Sequence, residues 1–273
     1  MTSRMNTVLI IGATAGIGLA FTHRFHAMGK KVIATGRNER KLNRMAQELP
    51  GLETRQFDIS DLAAIPANIN GLLKDFPSLD TVFIMAGIQQ SFNFFDASST
   101  TPEKIAKEIT TDLTAPALLM RLIAPHLLQL AGKGTQTTLF VTTSALAYTP
   151  ISFYPTYCAS KAGLQALVKI LRQQLLLAPN GANMRIVDIV PPYVDTGLDK
   201  DHREFTITSQ GGAEKAFPPM PLDEYVDKFF DSLEKPGPDG NIKKEIGAAA
   251  GETAVEAWHA SFDGIYEAMG FQI

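Results

Sequence analysis

Hydrophobic positions in this chain form two alternating patterns. Six short runs are candidate strands, and most of them are continuously apolar and rich in β-branched residues, which is typical of parallel strands covered on both faces. These predicted strands span residues 7–12, 31–36, 53–58, 79–87, 137–144 and 184–192. Helical patterns separate them, over residues 17–29, 39–49, 61–75, 102–131 and 156–178. Strands that alternate with helices predict right-handed crossovers, and therefore an α/β fold with a doubly wound parallel sheet and helices on both faces.

The final third of the chain is less regular. Residues 197–219 are rich in turn-forming residues and show no clear period. Helices are predicted over 220–233 and 252–269, with a loop at 235–241 between them. Because no linker, repeat or low-complexity tract occurs before residue 197, we expect residues 1–273 to form a single domain.

Composition and charge exclude several classes of protein. The chain has 273 residues, of which 45% are hydrophobic and 19% charged, so it can bury a full core. Its net charge of −3 gives no reason to expect a nucleic acid partner, and no apolar run approaches the roughly 20 residues that cross a bilayer. Five scattered histidines show no metal-ligand spacing, so no metal is expected. The single cysteine excludes an internal disulfide and indicates a reducing, cytoplasmic compartment.

The first predicted strand runs into a glycine-rich turn with the sequence IIGATAGIG. Glycine lets the backbone turn sharply and approach a ligand closely, and the helix that follows begins with free N–H groups that favour a phosphate. The spacing is G-x-x-x-G-x-G rather than G-x-G-x-x-G. We interpret the turn as a dinucleotide site, and a tight strand–helix turn without a ligand is the alternative. The candidate contacts are Gly12, Thr14, Ala15, Gly16, Ile17 and Gly18.

The end of the second predicted strand indicates which dinucleotide is bound. An acidic residue there would hydrogen-bond the ribose 2′-hydroxyl of NAD, but the chain reads GRNE and has no acid before Glu39. Arg37 can instead hold a 2′-phosphate with paired hydrogen bonds. The sequence therefore favours NADP(H), with a solvated surface charge as the alternative role of Arg37. Asp58, after the third strand, fits an adenine contact or equally a cap for the helix from residue 61.

A tyrosine and a lysine are placed one helical turn apart in the segment YPTYCASKAG. Tyr157 and Lys161 are residues i and i+4 of a predicted helix, so their side chains share a face. Ser144 ends the fifth predicted strand, and strand ends at the carboxyl edge of such a sheet face the ligand crevice. We therefore expect Ser144 to lie close to Tyr157.

These motifs together resemble the classical short-chain dehydrogenases/reductases. The glycine turn, Ser144, the segment YCASK and the later PPYVDT occur in the family's order over residues 6–196. The resemblance implies a single-domain Rossmann fold with a cofactor half at about 1–135 and a catalytic and substrate half at about 136–273. It also implies hydride transfer between a nicotinamide and a carbonyl or alcohol.

The resemblance assigns roles to individual residues. Tyr157 would act as general acid or base, Lys161 would lower its pKa from about 10 and bind the nicotinamide ribose, and Ser144 would hydrogen-bond the substrate oxygen. Tyr157 is implied to contact the cofactor as well, and further cofactor contacts are implied at Ala86, Gly87, Pro191, Val194 and Thr196. Members of the family are usually homodimers or homotetramers.

Two positions depart from the family pattern. After the fourth strand the family usually reads Asn-Asn-Ala-Gly, and this chain reads Ile84-Met85-Ala86-Gly87. Asp112 stands where the family has an asparagine that helps to hold a proton-relaying water. A carboxylate there can still accept hydrogen bonds, but its charge would weaken the positive field of Lys161 on Tyr157. We interpret the chain as a divergent active enzyme.

The substrate side of the site is mainly aromatic and apolar, which favours a hydrophobic or aromatic carbonyl compound. Residues 198–219 are expected to form a lid, because loops at this edge commonly close on substrate. Several of the candidate residues could equally pack the core. The candidates are Gln89, Phe92, Leu146, Tyr154 and Tyr193.

Two other functions remain alternatives to a ketoreductase. The same tyrosine could serve an isomerase or dehydratase, since a lysine-activated tyrosine suits other proton transfers. Alternatively, the chain could be a cofactor-binding sensor that no longer turns over, a reading that Met85 and Asp112 keep open.

Overall fold

A seven-stranded parallel sheet forms the centre of the protein. The structure, a computed structural model, describes residues 1–271. The strands run in the spatial order 3-2-1-4-5-6-7, with every neighbouring pair parallel. They are β1 Thr7–Ile11, β2 Lys31–Gly36, β3 Glu53–Gln56, β4 Thr81–Ile84, β5 Thr137–Thr142, β6 Met184–Val190 and β7 Glu245–Gly247. This is the predicted doubly wound α/β fold in one domain.

Helices cover both faces of the sheet. They are α1 Gly16–Ala27, α2 Glu39–Glu48, α3 Ile65–Asp75, α4 Pro102–Ile109, α5 Ala115–Gly132, α6 Pro155–Leu177, α7 Arg203–Ser209, α8 Leu222–Glu234 and α9 Ala250–Ala268. A π-helical turn, Thr110–Thr114, joins α4 to α5, and short 3-10 turns span Thr2–Arg4, Ala145–Ala147 and Gly181–Asn183. The predicted helix over 102–131 is therefore two α-helices with one extra residue in the turn between them.

The core lies on both sides of the sheet. On one face the rings of Phe83 and Phe140 are stacked with centroids 4.1 Å apart, and Phe21 packs on Phe229 at 4.4 Å. Aliphatic side chains of α3, α5 and α6 cover the other face. The central strands β1, β2, β4, β5 and β6 are buried on both sides, which explains why their sequences are mostly apolar, whereas the edge strand β3 is polar and partly exposed.

Residues Pro102–Gly132 form a helical stretch that is long and apolar enough to cross a membrane by length and composition alone, with a mean hydropathy of 1.3. The sequence reading found no such segment because polar residues interrupt every continuous apolar run. In this structure Leu119, Ile123 and Leu127 of the stretch are completely buried against the sheet. Of the most apolar 18 residues of this stretch, 33% are buried, so core packing accounts for part of its hydropathy.

Three elements differ from the predictions. α3 begins at Ile65 rather than residue 61, because residues 61–64 form a turn in which Asp61 accepts a hydrogen bond from the N–H of Ala64. α7 lies inside the segment that had no helical period. The short strand β7 was missed, because three residues are too few for a periodic pattern to be visible.

Candidate active site

A cavity of about 1320 Å³ opens at the carboxyl ends of the strands. The glycine turn, the end of β2, the segments after β4 and β5, and the residues after β6 all contribute to its wall. A second recess, lined by Arg4, Gln136 and Arg185, holds only about 10 Å³ and is too small for a substrate. Within residues 1–271, no group of three or more His, Cys, Asp or Glu side chains could hold a metal ion.

The glycine turn is built for close packing at the cavity floor. Gly12 has a φ of +99°, and a Cβ there would lie 2.5 Å from the nitrogen of Ala86. A Cβ on Gly18 would lie 2.2 Å from the carbonyl oxygen of Gly12. α1 begins at Gly16 without a side-chain cap, so its first N–H groups face the cavity without a capping partner. Packing alone requires these glycines, and the uncapped N-terminus adds a place for a phosphate.

The residues after β6 close over this turn. A Cβ on Gly16 would lie 3.0 Å from the Cβ of Thr196. Pro191 accepts a hydrogen bond from the N–H of Ala145 at 2.9 Å, and Val194 pairs with Met220. The predicted contacts Pro191, Val194 and Thr196 all line the cavity.

Two cations stand beside the end of β2. Arg37 is exposed and lines the cavity, as does Lys41, whose Nζ donates to the carbonyl oxygen of Thr14 at 3.2 Å. The side chain of Asn38 caps α2 and fixes its first turn. Lys41 was not predicted from the sequence; it lies in the first turn of α2, and its hydrogen bond to Thr14 holds the cation beside the glycine turn.

Asp58 lines the cavity and does not cap α3. Its Oδ1 accepts hydrogen bonds from the N–H and the hydroxyl of Ser60, both at 2.9 Å. Burial opposes its ionisation, but the Ser60 hydrogen bonds and the charge of Arg37 together lower the pKa of Asp58. The cap alternative is therefore wrong, and an adenine contact stays a prediction.

Ser144, Tyr157 and Lys161 are brought together as predicted from their order. All three are buried, and all three line the cavity. The Nζ of Lys161 lies 5.5 Å from the centroid of the Tyr157 ring and donates to the carbonyl oxygen of Thr142 at 3.1 Å. Ser144 follows β5, where its hydroxyl accepts from the N–H of Leu146 at 3.1 Å.

The pKa of Tyr157 departs from the expectation. Burial and then the charge of Asp112 raise the pKa of Tyr157 above its usual value, and a hydrogen bond with Ser144 lowers it only in part. We expected Lys161 to lower the pKa of Tyr157, but in the protein without a cofactor that pKa is raised. The reason is physical: transfer of a phenolate into a buried site outweighs the effect of one cation, which also has Asp112 to neutralise.

Asp112 lies in the π-helical turn below this group. It is completely buried, and its Oδ1 accepts from the N–H of Ile88 at 2.9 Å. Burial raises the pKa of Asp112 to about 7, against the opposing charge of Lys161. A second carboxylate, Glu108, is also completely buried and accepts from the N–H of Gln90 at 2.7 Å and from the hydroxyl of Thr156. Glu108 was missed, since its sequence context is an ordinary amphipathic helix.

The predicted substrate residues divide into two groups. Gln89, Leu146, Tyr154 and Tyr193 line the cavity. Phe92 does not belong to the wall: it is 5% exposed and packs edge-on against Phe94 with centroids 5.1 Å apart. The prediction of a substrate contact for Phe92 is therefore corrected to a packing role, because the part of this segment that lines the cavity ends at Gln89.

The segment after Thr196 covers the outer part of the cavity. Arg203 of α7 donates to Asp199 at 2.7 Å and to Asp195 at 2.8 Å, and Tyr193 donates to Asp199. His202 lies 3.2 Å from Oε1 of Gln89 and meets the ring of Tyr154 edge-on at 5.4 Å. The sequence reading missed His202, which lies in the irregular segment.

Comparison with known proteins identifies the class. The family model described as short chain dehydrogenase matches residues 6–206. The protein is 35% identical over 269 residues to the uncharacterized oxidoreductase DltE of Bacillus subtilis, covering 98% of this chain and 97% of that protein. It is 28% identical over 212 residues to the sulfoacetaldehyde reductase of Chromohalobacter salexigens, covering 77% and 78%. The chain therefore belongs to the short-chain dehydrogenase family of oxidoreductases.

Solved structures show the same fold. A short-chain dehydrogenase from Sphingobium yanoikuyae, in complex with NADPH, matches with a TM-score of 0.74 at 24% identity, over 97% of this chain and 94% of that one. A short-chain dehydrogenase/reductase from Burkholderia phymatum, in complex with NAD, matches with a TM-score of 0.75 at 17% identity, over 96% and 94%. Both matches show that the chain has the fold of these two proteins.

Proposed function

We propose that the protein is an NADP(H)-dependent reductase of hydrophobic or aromatic ketones, or the corresponding alcohol dehydrogenase. One observation carries the proposal: Ser144, Tyr157 and Lys161 meet in a cavity that also contains the glycine turn. Acid–base groups and a phosphate-binding turn in one crevice suit hydride transfer coupled to proton transfer.

The wall of the cavity fits a dinucleotide. The uncapped N-terminus of α1 would hold the pyrophosphate, and the close approach at Gly12 keeps side chains out of the way. Arg37 and Lys41 would hold a 2′-phosphate. Ala86, Gly87, Pro191, Val194 and Thr196 would surround the nicotinamide end. When bound, the cofactor supplies the hydride and, in its oxidised form, a positive charge near Tyr157.

The residues of the chain supply the proton. The Ser144 hydroxyl would hydrogen-bond the carbonyl oxygen of the substrate and hold it beside Tyr157. The phenol of Tyr157 would give its proton to that oxygen as the carbon is reduced, which forms the alcohol and leaves a phenolate. Lys161, held by Thr142, would stabilise that phenolate as the neighbouring cation.

A substrate with apolar bulk is supported by the outer cavity. Leu146, Tyr154 and Tyr193 line it together with Phe153 and Phe217. Apolar and aromatic walls with few polar groups favour a hydrophobic or aromatic ligand. Gln89, which lines the cavity and is held by His202 at 3.2 Å, would meet a polar group on that ligand.

Turnover is tested by NADPH oxidation over a panel of aliphatic and aromatic ketones. We expect turnover that is fastest with hydrophobic ketones. A non-catalytic sensor is the second candidate, because the buried Asp112 raises the pKa of Tyr157. Micromolar NADPH binding without turnover of any ketone would reject the reductase and support the sensor.

Cofactor choice gives a direct prediction. Arg37→Ala should raise KM for NADPH by about tenfold or more, because a charge-assisted hydrogen bond contributes roughly 1.5–3 kcal/mol and ~1.4 kcal/mol is a factor of ten. KM for NADH should change little, since NADH lacks the 2′-phosphate. Steady-state kinetics with both cofactors provide the measurement.

The neighbouring Arg40 provides a matched control for this substitution. It is exposed in α2, three residues after Arg37, and does not line the cavity. Arg40→Ala should leave KM for NADPH and KM for NADH unchanged. Lys41→Ala should raise KM for NADPH and leave KM for NADH unchanged. Equal KM values for NADPH in the wild type and in Arg37→Ala would reject the 2′-phosphate assignment.

Three further inferences accompany this function. We infer that residues 198–219 form a lid, which Arg203 supports by linking α7 to Asp195 and Asp199. A homodimer or homotetramer is supported by the apolar side chains that α9 exposes, among them Phe262 and Ile265. A cytoplasmic location stays a prediction from the single cysteine.

A further inference from the structure

Two buried carboxylates lie beneath the proposed catalytic group. Glu108, in α4, and Asp112, in the π-helical turn, are both 0% exposed. Each accepts one backbone N–H from the segment after β4, Asp112 from Ile88 and Glu108 from Gln90. Glu108 also accepts the hydroxyl of Thr156, the residue immediately before Tyr157. The pair therefore links the wall of the cavity to the start of α6.

One of the four carboxylate oxygens has no partner. The Oδ2 of Asp112 is buried and has no hydrogen bond to any described residue, whereas the Oδ1 of Asp112 and both oxygens of Glu108 accept one each. A buried anionic oxygen without a donor is strongly disfavoured. A protonated oxygen at that position would instead be a hydroxyl that can donate.

Few charges face this pair. Among the described residues, Lys161 of α6 acts on both carboxylates, the charge of Glu108 acts on Asp112, and Tyr157 and Cys158 of α6 are the other titratable groups. A Cβ on Gly87 would lie 3.4 Å from the Oδ1 of Asp112 and 3.5 Å from the Nζ of Lys161, so the carboxylate and the cation border the same glycine. One cation therefore faces two buried carboxylates.

We propose that Glu108 and Asp112 share a single proton, carried on the Oδ2 of Asp112 in the working enzyme, and that this pair sets the pH range over which Tyr157 donates its proton. The inference rests on the proposed reductase function. Asp112 acts on Tyr157 through its charge, and Glu108 is a positioning residue that acts through Asp112.

The chemistry of the pair supports a shared proton. Two close carboxylates in a low dielectric do not both ionise readily, so one of them holds a proton to higher pH. Burial raises the pKa of Glu108 and raises that of Asp112 to about 7, and the negative charge of Glu108 adds to the second shift. When Asp112 ionises, its charge makes the Tyr157 phenolate harder to form. Proton donation by Tyr157 should therefore slow as the pH rises through about 7.

The test is the pH profile of the single-turnover rate of NADPH oxidation with a saturating ketone. In the wild type we expect a fall of about threefold to tenfold across a transition near pH 7, since a like charge of this kind shifts a pKa by roughly one unit. Asp112→Asn should abolish the transition. Glu108→Gln should move it by about one unit to lower pH, because the anion that favours a proton on Asp112 is gone.

Glu103→Gln is the matched control, since this glutamate is exposed on the same helix. It should leave the profile unchanged. A transition that persists in Asp112→Asn, or one that Glu108→Gln does not move, would overturn the proposal. A structural role alone would lower the rates of the two variants equally at every pH.

Thermal unfolding of the unliganded protein separates this inference from the proposed function. The folded-state pKa of Asp112 lies above its usual value. Ionisation of Asp112 therefore lowers the free energy of unfolding progressively as the pH rises from about 4 to about 7. Asp112→Asn should therefore raise the unfolding midpoint more at pH 8 than at pH 5. Glu103→Gln should not raise the midpoint at either pH. If Asp112→Asn raised the unfolding midpoint equally at both pH values, the shared proton would be rejected. If the rise were larger at pH 8 but the wild type did not turn over any ketone, only the reductase function would be rejected.

Discussion

Replacing Tyr157 by phenylalanine should lower ketone turnover by about 10²–10⁴-fold, the usual contribution of a positioned general acid. The substitution removes one hydroxyl group and keeps the ring. Tyr157 is 6% exposed and packs with Tyr154 and Cys158, so the phenylalanine ring should occupy the same place. NADPH binding should remain nearly unchanged. Single-turnover kinetics and fluorescence titration with NADPH provide the two measurements.

Tyr154 is the matched control for this prediction. It lies one turn earlier in the same buried cluster, and its hydroxyl is not in the proposed proton path. Tyr154→Phe should alter KM for the ketone more than the single-turnover rate. If Tyr157→Phe kept wild-type turnover, Tyr157 would not be the proton donor. If it lost NADPH binding as well, the effect would be structural rather than catalytic.

The parallel sheet and the alternation of its strands with helices follow from local pattern. Strands buried on both faces have apolar residues at every position, and helices between them have one apolar face, so the alternation is visible in the sequence. The glycine turn is visible because Gly12 and Gly18 leave no room for a side chain. Ser144 and Tyr157 were placed together because parallel strands present their carboxyl ends at one edge.

The polar interior could not be predicted in the same way. Glu108 meets Thr156 across 48 residues of sequence, and a glutamate in α4 has the same local pattern whether its neighbours are protein or solvent. The π-helical turn adds one residue to a helix without changing its composition. The raised pKa of Tyr157 depends on how deeply the finished fold buries it. Each of these features depends on contacts between elements that are distant in sequence.

A buried ion pair supports the second prediction, on stability. Arg172 of α6 donates to Glu245 of β7, and the side chains are 7% and 6% exposed. Arg172 also donates to the carbonyl oxygens of Ile186 and Lys244, so it ties the helix of the proposed catalytic group to the last two strands. Arg172→Met should lower the free energy of unfolding by about 3–5 kcal/mol at pH 7, because it leaves a buried carboxylate without its main partner.

The pH dependence of that loss has a definite sign. Burial opposes ionisation of Glu245, but the charge of Arg172, with hydrogen bonds from His259 and Arg172, lowers the pKa of Glu245 from 4.5 to about 2. Because the folded-state pKa is lowered, the stabilisation is fully present above about pH 4.5 and is lost as the pH falls through about 2. The difference between wild type and Arg172→Met should therefore shrink between about pH 5 and pH 2. Urea denaturation at several pH values, at one protein concentration, provides the measurement.

Two further variants decide whether the buried charge is the cause. The double variant Arg172→Met/Glu245→Met removes both charges and should recover much of the loss, since paired apolar residues can replace a buried ion pair. Arg44→Met breaks the exposed pair of Arg44 with Glu48 and should change stability little. A loss in Arg172→Met that is the same at pH 7 and pH 3, and that the double variant does not recover, would show that Arg172 stabilises the protein by packing and not by its charge.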